Sequence, residues 1–115
     1  MVTDENRLVF YKLLDDMFVD LQRFPGGFHG ALITLTVGVG RIEQKSLDMS
    51  SLAASLDIPR ATVIRKVERL EKEGILEVTR KANRTLLMST PRAREIAFPI
   101  VDRIIERIRN RAKTL

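Results

Sequence analysis

Arg60, Thr62, Arg65, Lys66 and Arg69 lie within ten consecutive positions. A guanidinium can donate paired hydrogen bonds to O6 and N7 of guanine, an ammonium can meet a phosphate, and a hydroxyl can serve either. At about 100° per helical residue, with Thr62 as zero, Arg65 falls near 300°, Lys66 near 40° and Arg69 near 340°. On the same wheel Val63, Val67 and Leu70 fall at about 100°, 140° and 80°, and Ile64 near 200°. One face is then apolar and can rest on a core, while the other presents three cations and a hydroxyl. That outer face suits the major groove of a DNA duplex. It also suits an ordinary amphipathic helix with a solvated surface, and this segment alone leaves both readings open.

A second cationic group, Arg80, Lys81 and Arg84, follows shortly after. Catalytic chemistry is harder to assemble. The chain has no cysteine, which excludes disulfides, a thiolate zinc site, thiol redox sensing and cysteine catalysis. His29 is the one histidine, so Ser46, Ser50, Ser51, Ser55 and Ser89 have no other imidazole to serve as base. Asp15 and Asp16 are adjacent acids on a helical segment, where a solvated face is the plainer reading. Gly26-Gly27 and Gly38-x-Gly40 lack the lysine, or the strand-to-helix setting, of a phosphate-binding loop. We expect no enzyme, no metal and no cofactor. His29 reads as a turn or packing residue in preference to a ligand.

The length of 115 residues argues for one domain, with 44% hydrophobic and 30% charged residues in a globular balance. The net charge of +5 is unevenly placed. Residues 1–24 carry three basic and five acidic side chains, residues 60–94 ten and four, and residues 95–115 five and three. The basic excess is thus central, as in an electrostatic footprint for a polyanion, although charge alone also fits a solvated surface. No apolar run approaches the roughly 20 residues that cross a bilayer. The M-V-T-D-E-N-R start is acidic and polar, unlike a signal peptide, so a cytoplasmic protein without a membrane partner is expected.

These cations need elements to hold them. Residues 4–24 read as an amphipathic helix, with Phe10, Leu14, Met17, Leu21 and Phe24 on one face, Thr3 as cap, and Pro25-Gly26-Gly27 as the turn that ends it. Residues 30–44 are ambiguous. Ile33-Thr34-Leu35-Thr36-Val37 suits a strand and Gly38 and Gly40 weaken a helix, but Leu32, Leu35 and Val39 lie on a helical stripe, so we favour a helix. Lys45 to Met49 reads as a short extended segment. Residues 50–58 form a compact helix capped by Ser50-Ser51, Pro59 starts a second helix over 60–73, and Gly74 closes it. Ile75–Thr79 and Thr85–Ser89 read as strands of a hairpin with a basic connection from Arg80 to Arg84. From Pro91 the helical period returns, with Ile96, Ile100, Ile104 and Ile108 stepping by four. Pro99 is expected to kink this helix or divide it.

Two short helices joined by a tight turn and followed by a hairpin make a winged helix-turn-helix pattern. L-A-A-S-L-D-I-P-R-A-T-V-I-R-K-V-E-R-L-E-K-E-G-I-L-E, from Leu52 to Glu77, resembles the helix-turn-helix and first wing strand of the MarR-type winged-helix transcriptional regulators. S-T-P-R-A-R-E, from Ser89 to Glu95, resembles the segment that leads from their wing into their C-terminal helices. The resemblance implies an arginine of the recognition helix at Arg65 and a wing-tip arginine near Arg84. It also implies dimerisation through the terminal helices and a small-molecule effector between those helices and the DNA-binding lobe. The chain departs from the pattern in a short wing without the acidic residue that normally precedes the tip arginine, in Ala93 where a glycine is common, and in overall length.

The expected fold is therefore mainly α with a small β-hairpin, a winged helix-turn-helix over 30–90 flanked by dimerisation helices over 1–24 and 91–115. Double-stranded DNA is the expected partner of a homodimer that regulates transcription. Arg60, Thr62, Arg65, Lys66 and Arg69 would act from the recognition helix and Arg80, Lys81 and Arg84 from the wing. Phe10, Leu14, Met17, Leu21, Ile96, Ile100, Ile104 and Ile108 would pair the two copies. The alternative is a winged-helix protein-interaction module that binds no DNA.

Overall fold

The computed structural model describes residues 1–113, so Thr114 and Leu115, the end of the segment read as C-terminal dimer helices, lie outside the described residues. Helix α1 (Asp4–Gln22) opens with the Thr3 hydroxyl accepting from the Asn6 N–H at 3.1 Å, and Asp4 and Glu5 sit at its positive end. Helix α2 (Gly27–Ile42) starts three residues earlier than the sequence suggests, behind Gly26 at φ 81°. It is a helix in spite of its β-branched run because Ala31, Ile33, Thr34 and Val37 form one buried face. Two of its glycines serve close approach. A Cβ on Gly30 would lie 1.9 Å from the Pro25 carbonyl oxygen, and one on Gly40 would lie 2.7 Å from that of Lys45.

Strand β1 (Leu47–Asp48) leads directly into α3 (Met49–Leu56), and α4 (Arg60–Lys72) follows across Asp57, Ile58 and Pro59. The cap of α3 is Asp48 rather than Ser50-Ser51: its Oδ1 accepts from the Ser50 N–H at 2.8 Å and the Ser51 N–H at 3.4 Å. A carboxylate two residues upstream of Ser50 satisfies both orphan donors, so the serines fall inside the first turn. Strands β2 (Leu76–Lys81) and β3 (Arg84–Ser89) pair antiparallel from Leu76↔Ser89 to Lys81↔Arg84, and β1 adds to the far side of β3. The hairpin is thus longer than the sequence reading, with Arg80, Lys81 and Arg84 inside the strands. Only Ala82 and Asn83 turn, with Ala82 in the left-handed region at φ 51°. Pairing across the ladder holds these charged residues extended where their local polarity suggested a loop.

Helix α5 (Pro91–Ala112) begins at Thr90, whose hydroxyl accepts from the Ala93 N–H at 3.2 Å and donates toward the Gly74 and Ile75 carbonyls at 2.6 and 3.0 Å. One side chain thus caps α5 and locks it onto the corner between α4 and β2. Of the two expected outcomes at Pro99, a kink or a division, the division does not occur: α5 runs through it. Both Pro99 and Glu95 are exposed, so the carbonyl that proline leaves without a donor meets water and the helix continues. The segment read as C-terminal helices is one helix.

The main core joins Ile33 and Val37 of α2, Leu52 of α3, Val63, Val67 and Leu70 of α4, and Ile75 and Leu87 of the wing. A smaller cluster of Phe24, Ala31 and Ala97, with Leu21, Leu35 and Ile100 against it, ties α1 and α5 to α2. The molecule measures 53 × 27 × 24 Å with a radius of gyration of 16.1 Å. A compact domain of this length is expected at about 13 Å, so the shape is elongated.

Candidate nucleic-acid interface

The expected apolar face of α4 is the buried one: Val63, Val67 and Leu70 are at most 1% exposed. The helix is held from below by α2 and from its start by α3, where the Arg60 guanidinium donates to the Ser50 hydroxyl. On the outer side, Arg65, Arg69 and Lys72 of α4 and Arg80 of β2 line one open depression, together with Glu68 and Glu71. Helix α4 and the β2–β3 hairpin therefore present cations to a common concavity.

These cations differ in how they are held. Arg69 Nε lies 3.2 Å from Glu73 one turn away, and Arg80 Nη2 lies 3.4 Å from Glu71 on α4. Arg84 Nε lies 3.6 Å from Asp48 Oδ2. Among the described residues no ion pair engages Arg65, Lys66 or Lys81. Arg65 and Lys81 are exposed, whereas Lys66 and Thr62 are half-buried. The Lys66 stem runs beside the α1–α2 turn, with its Cδ 3.7 Å from where a Cβ on Gly26 would sit. The near-40° position of Lys66 on the wheel, about 60° to 100° from the two arginines, carries it toward α2.

Among the described residues, Asp48 is the ionisable group whose proton affinity clearly departs from its ordinary value. The Ser50 N–H, then the Ser51 N–H and the Arg84 guanidinium, hold its carboxyl below the usual value of 3.8, with partial desolvation opposing them. Sequence reasoning missed this residue's double role as helix cap and wing contact. The signal was the Asp-x-Ser-Ser spacing, in which the acid precedes the serines by two and three positions.

The eight residues expected at a dimer interface divide into three sets by exposure. Phe10, Leu14 and Ile108 are exposed, Met17, Leu21, Ile96 and Ile100 are half-buried, and Ile104 is buried within its own chain. A step of four advances about 400°, so the stripe from Ile96 to Ile108 rotates by about 120° along α5. The outward row is instead Phe98, Ile105 and Ile108, with the half-buried Val101 beside them, at spacings of three, four and three from Phe98 through Val101. On α1, Tyr11 and Phe18 are also exposed, and the Phe18 ring meets Phe28 edge-on at 5.7 Å.

Between α2 and α5 lies an apolar groove of about 240 Å³ lined by Leu35, Val39, Ala97, Phe98 and Val101, with Arg41 and Arg94 also on its wall. Thr34 lines it too, and its Oγ1 is buried without a hydrogen-bond partner. No helix among the described residues is long and apolar enough to cross a membrane.

Helix pairs, wing and flanking helices together define a winged helix-turn-helix fold. No family model matches the sequence, and no curated protein matches it. Among solved structures, MepR, a transcription regulator of the Staphylococcus aureus multidrug efflux pump MepA, superposes with a TM-score of 0.75. It is 16% identical, over 95% of this chain and 80% of that one. MarR gives 0.62 at 23% identity over 88% and 75%, and the adhesin competence repressor AdcR of Streptococcus pyogenes gives 0.60 at 21% over 99% and 82%. The chain has the MarR-type winged-helix fold.

Proposed function

We propose that this chain is a transcription regulator that binds double-stranded DNA as a homodimer. The observation that carries the reading is the convergence of Arg65, Arg69 and Arg80, from α4 and the wing, on one open depression outside the core. Cations on a helix that can enter the major groove, beside cations on a hairpin that can follow the backbone, suit a duplex better than a small ligand. The similarity in fold to MepR, MarR and AdcR supports the same reading.

Dimerisation is supported by shape and by surface. The outward row of Phe98, Ile105 and Ile108 and the exposed Phe10, Tyr11, Leu14 and Phe18 lie on the two terminal helices, which pack against each other. A two-fold pairing would cover them and place two α4 helices on successive half-sites. The effector of this reading is a small apolar molecule in the groove between α2 and α5, where the Thr34 hydroxyl supplies a polar contact.

The experiment is binding of the wild-type chain to a random-sequence duplex from low to moderate salt. Retention that falls steeply with salt is the expected result. No retention at low salt would leave the protein-interaction module as the better reading.

A further inference from the structure

Asp48 joins two parts of the fold that have no covalent reason to move together. Its Oδ1 is taken by the N–H groups that start α3, and its Oδ2 faces Arg84 Nε, at the first residue of β3, at 3.6 Å. No carboxylate lies between Thr79 and Ser89, and Glu77 of β2 pairs opposite Met88, away from Arg84, so the tip of the wing supplies no acid of its own to orient this arginine. The contact uses the Nε edge, and 67% of the Arg84 side chain stays open to solvent. Asp48 itself is held by the helix cap and is only 21% exposed, so it is a fixed anchor for a long, flexible partner.

Resting on the DNA-binding reading above, we infer that Asp48 is a positioning residue for the wing, which fixes Arg84 so that its contact serves a correctly docked duplex. An arginine free to swing finds a phosphate on any sequence, because non-specific binding is electrostatic. An arginine held by its Nε edge reaches only what the docked α4 brings beside β3. The Asp48 charge also opposes a phosphate that approaches from elsewhere.

The test uses Asp48→Asn, Arg84→Ala and the double variant. Asn caps a helix about as well as Asp, so α3 is retained while the ion pair is lost. Asp48→Ser, with a capping oxygen and no charge, is the second variant. The probes are a duplex selected from a random pool by the wild-type chain and a scrambled duplex of the same composition. Asp48→Asn is expected to bind the scrambled duplex about threefold more tightly, with a salt slope steeper by about one, and to lose discrimination by the same factor or more. In the Arg84→Ala background the same substitution is expected to leave discrimination unchanged. Wild-type discrimination in both Asp48 variants overturns the inference, as does an equal loss with or without Arg84. A wild-type chain that binds neither duplex overturns the DNA-binding reading and this inference with it. Independently of DNA, the Arg84 Nε–H resonance is expected to move as Asp48 is titrated with acid, and not in Asp48→Asn. A resonance that ignores that titration means the pair does not form and also overturns the inference.

Discussion

Asp20 Oδ2 lies 3.2 Å from Arg107 Nη1, joining α1 to α5 through a carboxylate that is 1% exposed. Arg23 and Arg103 approach its other oxygen at 3.5 and 3.6 Å, yet neither oxygen has a hydrogen-bond partner of good geometry. Asp16 extends the contact to Arg107 and Arg111 at 3.9 and 3.7 Å. Asp16 and Asp20 therefore form a clasp between helices; of the adjacent acids read as a solvated face, Asp15 is exposed and Asp16 joins the clasp. Removing one partner of a fully buried pair costs about 3–5 kcal/mol; the arginines here are one-third to over one-half exposed, so about 1–3 kcal/mol is expected for Asp20→Ala. Urea unfolding of the variant checks it, and wild-type stability would contradict the clasp.

Arg65 and Arg84 are expected to fail differently on DNA. Arg65→Ala is expected to cost about 1–3 kcal/mol on a selected duplex and to relax preference at one position, the mark of a base contact. Arg84→Ala is expected to lower the salt slope by about one and, because Asp48 holds this arginine for a docked duplex, to weaken the selected duplex more than the scrambled one without relaxing preference at any single position. Titrations of both variants on selected and scrambled duplexes at several salt concentrations separate the two.

The cap at Asp48 predicts an acid-sensitive α3. The folded carboxyl titrates below the ordinary value of 3.8, so its contribution is complete above that value and is lost as the pH falls through the lower, folded one. The difference in stability between the wild type and Asp48→Ala is expected to be constant from neutral pH down to the ordinary carboxylate range and to shrink below it. Thermal melts across that range measure the difference.

The outward and inward rows of α5 predict opposite phenotypes. Ile105→Glu is expected to halve the mass seen by light scattering at micromolar concentration, because Ile105 faces away from its own chain. Ile104→Ala, on the buried side, is expected to cost about 2–3 kcal/mol of stability. A monomeric wild type would remove the dimer from the proposal.

Two glycines of α2 provide a stability test. Nothing lies within 4 Å of a Cβ on Gly38, so Gly38→Ala is expected to gain up to about 1 kcal/mol of helix propensity, or roughly 4 °C in Tm. Gly40→Ala would drive its methyl to 2.7 Å from the Lys45 carbonyl oxygen and is expected to lose about 1–3 kcal/mol. Calorimetry on both variants decides the pair.

Much of the fold was legible because it rests on period and punctuation. The apolar face of α4, the proline that opens it, the glycine that closes it and the change of period into the wing are all local patterns. The basic character of residues 60–94 was legible as well, since charge is a property of composition. What was not legible depended on which neighbour each side chain meets. Ser50 and Ser51 had the propensity of a cap, but Asp48 stood in reach of both N–H groups first.

The sequence by itself determined the helical segments other than α2, which stripe of α4 is apolar, and that the cations cluster around it, because each follows from residue type and spacing within one element. Only the tertiary structure decided that Asp20 sits buried among three arginines, that Asp48 faces Arg84 from a different element, and that the isoleucine row of α5 turns inward before it turns out. The contacts of Asp48 with Arg84 and of Asp20 with Arg103 and Arg107 join residues 36 to 87 positions apart. A side chain's periodicity says which way it points on its own helix, whereas the crossing of helices decides what lies in that direction.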